Sequence, residues 1–212
     1  MVLLEPGLGG TARGEQVTEA ILGIDAGWES AGEVEHAVLE LAGRLGLAPD
    51  SILCTHIVRV GTPHYAGSLT LTTAPAPDLR AVPTDALPGA GVALVTGGAE
   101  PATSGPTELA ASALAVARDR FERQDGRAIR FPGVGQLTGS RPVPEVLADS
   151  AIEEVAVLGG PLPADAVLAT RDFVRPQWQG GRLVLLTLPG GPGLVAPFEV
   201  PDPTPCCGSD HP

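Results

Sequence analysis

The chain has 212 residues, a formal net charge of −12 at pH 7 and a pI near 4.6; 43% of its residues are hydrophobic and 3% are aromatic. These values suit a globular protein with a core of Leu, Val and Ala, and they exclude a largely disordered chain. A surface this acidic repels phosphate groups, so neither nucleic acid nor an anionic membrane is expected as a partner. All 13 basic residues are Arg, and the absence of Lys excludes lysine-linked pyridoxal phosphate as a cofactor.

The N-terminal segment MVLLEPGLGG lacks the basic start and the long apolar run of a signal peptide, so none is expected. The sequence also has no run of about 18 apolar residues, the length needed to span a bilayer. Three Cys are a poor basis for a disulfide framework. The cytoplasm is therefore the expected compartment.

The first predicted helix covers residues 15–22.

Residues 30–45 form the helix that the sequence predicts most clearly. Ser30 and Glu33 have the spacing of a capping box. His36 points away from the apolar side of this helix and lies one turn before Glu40, so a solvated charged face is expected there rather than a metal site. The apolar positions recur at helical spacing, at Val34, Val38, Leu41 and Leu45.

Residues 51–73 are predicted to form two strands joined by a loop that contains Gly and Pro. Alternation along the first strand places Cys54 and His56 together on the apolar, inward face. We expect His56 to be a buried histidine whose ring is satisfied by a neighbouring side chain. The alternative is that the thiol-bearing C-terminal tail folds back to meet it. His64 lies near the tip of the loop.

A Pro-rich surface connection is expected over residues 74–90. The chain is expected to form a single globular domain over 1–212, with two sub-halves joined by 74–90 as the alternative. The apolar run at 91–98 is typical of a strand that is covered on both faces. A helix is expected over 106–124, and the arginines in and after it alternate with acidic residues, which predicts a salt-bridged helix surface.

The C-terminal part is predicted to consist mainly of strands. Residues 154–160 form a second buried strand, and the runs 182–188 and 194–200 form a β-hairpin around a PGGPG turn. A Pro-rich tail, 201–212, follows. The expected fold is α/β (or α+β), a mixed β-sheet with two principal helices and a C-terminal β-hairpin.

Two polar stretches are candidates for a small-molecule site. Residues 96–104 lie between a predicted strand end and a helix start, where backbone N–H groups bind anionic groups if the sheet is parallel there. Arg171, Asp172 and Arg175 stand beside Phe173 and Trp178, in a chain where aromatics are rare. This combination suits an anionic or planar ligand. We predict a small-molecule-binding protein or metabolic enzyme with a pocket at strand-to-helix loops. The predicted lining residues are Thr96, Gly97, Gly98, Ser104, His64, Arg171 and Asp172.

The alternative hypothesis is a metal- or thiol-dependent protein of the Zn or Cu type. Thiols and imidazoles on one strand face and in the tail are ligands that these metals favour, although the spacing matches no known metal motif. The candidate ligands are Cys54, His56, Cys206, Cys207 and His211. The sequence leaves open whether the protein is an enzyme and what its ligand is, and it permits a homo-oligomer.

Overall fold

The computed structural model describes residues 18–73, 79, 82 and 87–201. In this part of the chain, twelve strands form one mixed β-sheet in the order β5-β4-β1-β3-β2-β6-β10-β11-β12-β9-β7, with β8 paired to β11. The strands are β1 (Thr18–Trp28), β2 (Leu53–Val58), β3 (His64–Thr73), β4 (Gly91–Thr96), β5 (Ala102–Ser104), β6 (Arg127–Arg130), β7 (Ser140–Pro142), β8 (Glu154–Val157), β9 (Val167–Ala169), β10 (Gln177–Gln179), β11 (Arg182–Gly191) and β12 (Leu194–Pro197). The α-helices are α1 (Ala31–Arg44), α2 (Thr107–Phe121) and α3 (Val143–Asp149). The predicted fold class and mixed sheet are confirmed.

Strand β1 lies at the centre of the N-terminal half, between β3 and β4, and is antiparallel to both. Ala20, Leu22 and Ile24 pack in a hydrophobic cluster on one face, whereas Ile21 packs in a separate cluster on the other. The predicted helix over 15–22 is therefore wrong for residues 18–22, because an apolar run covered on both faces is stable as a central strand.

The two principal helices cover opposite faces of this part of the sheet. Val34 and Val38 of α1 pack in the cluster of β1, β3 and β4, whereas α2 packs on the other face, with Ala117 against Ile21. Gly23 of β1 allows α2 to approach the sheet closely, since a Cβ on Gly23 would overlap the backbone carbonyl of Ala113 in α2.

Helix α1 begins with the predicted capping box. The Ser30 hydroxyl accepts a hydrogen bond from the Glu33 N–H, and the Glu33 carboxylate accepts one from the Ser30 N–H. His36 and Glu40 are exposed, as expected for a solvated face.

Strands β2 and β3 form the predicted hairpin, in a register that pairs Leu53 with Leu69 and His56 with Ala66. Cys54 is fully buried and His56 is 3% exposed. Val58, which shares their side of β2, packs against α2. The expectation that Cys54 and His56 face inward is confirmed.

Strand β6 joins the two halves of the sheet, because it pairs with β2 on one side and with β10 on the other. Beyond it, β8 is parallel to β11 and β9 is parallel to β12, which makes the sheet mixed. Strands β11 and β12 are antiparallel, as the predicted C-terminal hairpin requires. The short helix α3 was not predicted; it has only 7 residues, too few to show a clear apolar period.

Two large hydrophobic clusters divide the described chain near residue 126. The first contains the N-terminal strands and α1, and Val82, Leu87 and Ala90 also pack in it. The second contains residues of β6 to β12 together with Cys54. Leu79, Val82, Leu87 and Ala90 of the 74–90 segment therefore pack with the first cluster, whereas Pro88 and Gly89 are exposed. Among the described residues the α-helices have at most 15 residues, fewer than a membrane-spanning helix requires.

Candidate functional site

A cavity of about 690 Å³ opens where β6 joins the two halves of the sheet. We call it the junction cavity. The start of α1, strands β2 and β3 and the loop before β6 form one part of its wall, and the residues around β10 and after β12 form the rest. Its lining residues are Ala31, Gly32, Glu35, Thr55, His56, Ile57, Arg59, Tyr65, Asp125, Arg127, Phe173, Gln177, Phe198, Glu199, Val200 and Pro201.

Arg127 is the centre of a charged group in the junction cavity. It is in register with Thr55 of β2 and with Gln177 of β10. Its Nη1 donates to Glu35 at 2.8 Å and its Nε donates to Glu199, whose other oxygen accepts from the Gln177 amide at 3.1 Å. Partial burial alone would lower the pKa of Arg127, but the hydrogen bonds to Glu35 and Glu199 outweigh it and raise that pKa. The guanidinium is therefore charged at any ordinary pH.

Phe173 provides an aromatic surface beside two guanidinium groups. Arg175 lies 4.3 Å and Arg127 lies 5.8 Å from the centroid of its ring, both within the range of a cation–π contact. Arg175 also donates to the second oxygen of Glu35 at 3.4 Å. Glu35 thus bridges the two arginines from α1.

Apolar side chains are concentrated at the same cavity. The whole chain has four Phe, two Trp and one Tyr, and three of these, Tyr65, Phe173 and Phe198, line the junction cavity. Ile57, Phe198 and Val200 are 47%, 51% and 37% exposed. Clustered exposed apolar groups around a polar cavity are typical of a binding site.

Asp125 presents a carboxylate to the junction cavity from the loop before β6. The His56 Nδ1 lies 3.1 Å from its Oδ2, and the side chain of Asp125 is 58% exposed whereas that of His56 is 1% exposed. The hydrogen bond from His56 lowers the pKa of Asp125 more than partial burial raises it, and the positive charge of Arg59 lowers it further. Asp125 is therefore ionised at neutral pH, and His56 donates to it.

Ser68, His56 and Asp125 form a chain of hydrogen bonds that resembles a nucleophile–histidine–aspartate triad. The His56 Nε2 lies 2.8 Å from the Ser68 Oγ, and a neutral ring that donates from Nδ1 accepts here from the hydroxyl. The burial is the reverse of what acyl transfer needs, because Ser68 is 1% exposed and the carboxylate is the accessible group. A molecule from solvent can reach Asp125 but not Ser68, and the bonds of Ser68 and His56 hold the Asp125 carboxylate in place.

Gly126 allows the hydrogen bond between His56 and Asp125 to form. Its φ is +123°, and a Cβ on it would lie 2.8 Å from the His56 ring and 3.2 Å from the Cβ of Cys54. Any other residue would combine backbone strain with a collision against the ring, so the loop that carries Asp125 can reach His56 only with glycine here.

A second polar group is buried beneath α2. Arg120 is 2% exposed, its Nη2 donates to Thr70 at 3.0 Å, and its guanidinium stacks 4.5 Å from the centroid of Trp178. The predicted surface position is wrong for this arginine, because stacking on Trp178 buries it between α2 and the sheet, although its Nη2 still lies 3.9 Å from a Glu19 oxygen. Burial raises the pKa of the Cys54 thiol to about 11, and the nearby Arg120 only partly offsets this effect.

A second His–Asp pair, His64 and Asp25, lies at the start of β3. Asp25 is fully buried; its carboxylate accepts from the Gly27 N–H at 2.8 Å, from the Ser112 hydroxyl and from the His64 Nε2 at 2.8 Å. The His64 Nδ1 donates to the Thr62 carbonyl at 2.8 Å. Partial burial lowers the pKa of His64, but the bonds to Thr62 and Asp25 raise it by more, so the net shift is upward.

The structure separates the residues that the sequence predicted for a small-molecule pocket. Thr96 ends β4, Gly97 and Gly98 follow it, and Ser104 ends β5. The ligand site expected there required a parallel sheet, but β4 is antiparallel to both of its neighbours. His64 lies in the Asp25 group instead.

Arg171 and Asp172 lie near β9 and β7, at the other end of the strand order. Both residues have a left-handed backbone, with φ of +53° and +51°. Asp172 accepts from the Gly139 N–H at 3.0 Å, so its side chain stabilises a turn. Neither residue lines the junction cavity, and neither lies near Thr96 or Ser104 in the strand order.

The predicted metal ligands are placed only in part. Both ring nitrogens of His56 are taken by Ser68 and Asp125, and the high pKa of Cys54 keeps it a thiol, which is a poor metal ligand. Cys206, Cys207 and His211 lie outside the described residues. Among the residues that are described, no group of three or more His, Cys, Asp or Glu side chains could hold a metal ion. The Zn or Cu hypothesis stays a prediction.

Sequence reasoning missed most of the charged residues of the junction cavity. Arg127 and Asp125 belong to the Arg-rich stretch in and after α2, which was interpreted as a salt-bridged helix surface. Glu35 and Glu199 gave no signal, because isolated glutamates are common on any helix or loop. The useful signal was the scarcity of aromatics, which drew attention to Phe173.

A second cavity, of about 590 Å³, lies on the outer side of α1 beside Trp28. Its carboxylates already have structural roles, since Glu33 caps α1 and Glu40 pairs with Arg44 at 2.8 Å. The junction cavity is the better candidate because Asp125 remains accessible there.

Comparisons of the chain with protein-family models, with curated proteins and with solved structures gave no match. The site is therefore interpreted from its own residues.

Proposed function

We propose that this protein is a small-molecule-binding protein or metabolic enzyme whose ligand occupies the junction cavity. The observation that carries the proposal is the meeting of scarce aromatic side chains with a partly buried charged network in one cavity. The volume of about 690 Å³ is in the range of known ligand sites, roughly 300–1,000 Å³.

The two parts of the lining suit two parts of a ligand. Tyr65, Phe173 and Phe198 offer flat apolar surface, and such surface favours an aromatic or otherwise planar group. Arg127 and Asp125 offer opposite charges within the same cavity. A ligand with a planar apolar body and at least one polar or charged substituent fits this lining best.

Asp125 is the group best suited to contact a donor on the ligand. Its carboxylate is ionised, accessible and held in place by a buried histidine. As a general base this carboxylate would be weak, because its pKa is lowered. Binding is therefore the primary activity that we propose.

The proposal is tested by screening small aromatic compounds with saturation-transfer NMR against the wild type and Phe173→Ala. We expect compounds that bind the wild type to bind the variant about fivefold more weakly, since one aromatic contact contributes about 1 kcal/mol. Leu158→Ala is the matched control, because Leu158 is 38% exposed and lies outside the cavity lining.

The proposal fails if no compound binds the wild type. It also fails if every bound compound has the same affinity for Phe173→Ala and for the wild type.

A further inference from the structure

We infer that the junction cavity takes an organic carboxylate, and that the Glu199 side chain occupies the position of the ligand's carboxylate in the free protein. The inference rests on the proposed function and names the class of ligand. It starts from the contacts of Glu199, which joins Arg127 and Gln177, two side chains that stand on adjacent strands.

The donors around Glu199 form a site for a planar anion. Arg127 donates through Nε to one carboxylate oxygen, and Gln177 donates through its amide to the other. Two convergent donors, one of them charged, are the usual way in which proteins hold a carboxylate. Both donors stand on sheet strands, which fix their backbone positions, and the bond to Glu35 also holds the Arg127 guanidinium independently of Glu199.

Glu199 itself is held mainly by its side chain. It follows the end of β12, and the last backbone hydrogen bond among the described residues is donated by the Phe198 N–H to the Leu186 carbonyl at 2.9 Å. Displacement of Glu199 therefore breaks no strand pairing. Glu35, by contrast, stands on α1 and bridges Arg127 and Arg175, so it is the permanent partner of the two arginines.

The charge balance of the arginines and glutamates in the cavity agrees with a ligand that carries one negative charge. Arg127 and Arg175 face Glu35 and Glu199, which makes the group neutral in the free protein. When Glu199 leaves, one positive charge is uncompensated in a partly buried place. A ligand carboxylate restores neutrality, whereas a neutral or cationic ligand does not.

The residues beside Glu199 suit the apolar part of such a ligand. Phe198 and Val200 are 51% and 37% exposed, although both are apolar. Their exposed surface lies at the cavity and can pack on an aromatic body that enters next to Phe173. An aromatic carboxylate therefore satisfies both the donors and the apolar wall.

The test compares the binding of benzoate and of its neutral analogue benzamide to the wild type and to Glu199→Gln. If Glu199 holds the anion position about 90% of the time, removal of its charge raises the affinity for benzoate about tenfold. The affinity for benzamide should not rise. Glu154→Gln is the matched control, since Glu154 pairs with Arg182 at an exposed site and its substitution changes the net charge equally.

The outcomes separate the inference from the proposed function. Tighter binding of benzoate by Glu199→Gln alone supports the inference. Equal benzoate affinity in wild type and Glu199→Gln, or an equal gain for benzamide, overturns it and leaves ligand binding in the cavity standing. Binding of neither compound, together with a screen that gives no ligand, overturns both.

A second measurement needs only the wild type and applies if Glu199→Gln does not fold. Saturating benzoate should shift the side-chain carboxyl ¹³C resonance of Glu199, because release of Glu199 replaces its bonds to Arg127 and Gln177 with bonds to water. A Glu199 carboxyl resonance that does not shift contradicts the inference.

Discussion

The two His–Asp pairs of this protein use the same groups with opposite burial. In the His64–Asp25 pair, the carboxylate is fully buried and the His64 side chain is 17% exposed. In the His56–Asp125 pair, the histidine is 1% exposed and the carboxylate is 58% exposed. The histidine is the more exposed group in the first pair and the carboxylate is the more exposed group in the second, so the two pairs have different roles.

The comparison shows how position in the fold decides what a pair can do. Asp25 accepts from groups on β1, on β3 and on α2, so its carboxylate joins three elements and is closed to a ligand. Asp125 has a buried histidine behind it and a cavity in front of it. We therefore expect the first pair to determine stability and the second to determine binding.

The largest effect on stability is expected for Asp25→Ala. The substitution leaves the Gly27 N–H and the buried side of His64 without a partner, whereas the Ser112 hydroxyl keeps its bond to the Leu109 carbonyl in α2. The free energy of unfolding should fall by about 3–5 kcal/mol, as it does when one member of a buried pair is removed. Urea denaturation measures this loss. Asp165→Ala, at an exposed position, is the control and should change stability by less than about 0.5 kcal/mol.

A smaller effect, with a characteristic pH dependence, is expected for His64→Gln. The pKa of His64 in the folded protein is raised above its ordinary value of 6.5. Protonated His64 therefore stabilises the fold fully below pH 6.5, and this contribution disappears as the pH rises through the raised pKa. The wild type should exceed His64→Gln in stability by about 1 kcal/mol at pH 5.5 and by less at pH 9. A difference that is constant, or that grows with pH, contradicts this role.

The smallest effect on stability is expected for Asp125→Asn. The carboxylate is more than half exposed, so its pair with His56 contributes less than about 1 kcal/mol. Because the pKa of Asp125 is lowered, that contribution is present above its ordinary pKa of 3.8 and is lost only as the pH falls through the lowered value. Urea denaturation at pH 7 checks the size of the effect. A loss as large as that of Asp25→Ala would show that the two pairs do not differ in role.

The sequence predicted those parts of the fold in which a local pattern decides the structure. The capping box and apolar spacing of α1, and the alternation of the β2–β3 hairpin, depend on neighbours in the chain. Strand β1 could not be predicted in the same way. Its residues are apolar on both faces, and only the packing of α1 and α2 on those two faces selects a strand.

The candidate site was less predictable, because it depends on contacts between distant parts of the chain. His56 meets Asp125 across 69 positions, and Arg175 meets Glu35 across 140. The sequence showed that His56 faces inward but not which carboxylate it meets. The pocket expected at 96–104 presupposed a parallel sheet, and strand direction cannot be read from a single strand. The cytoplasmic location and the homo-oligomer stay predictions.

The most direct test of ligand binding in the junction cavity uses Tyr65, the one tyrosine of the chain. Protein labelled with 3-fluorotyrosine gives a single ¹⁹F resonance from a side chain that lines the cavity. Titration with the aromatic compounds that bind should shift this resonance to a saturating value, with the same dissociation constant as binding itself. Compounds that bind the protein but leave the Tyr65 resonance unchanged would contradict the proposed site.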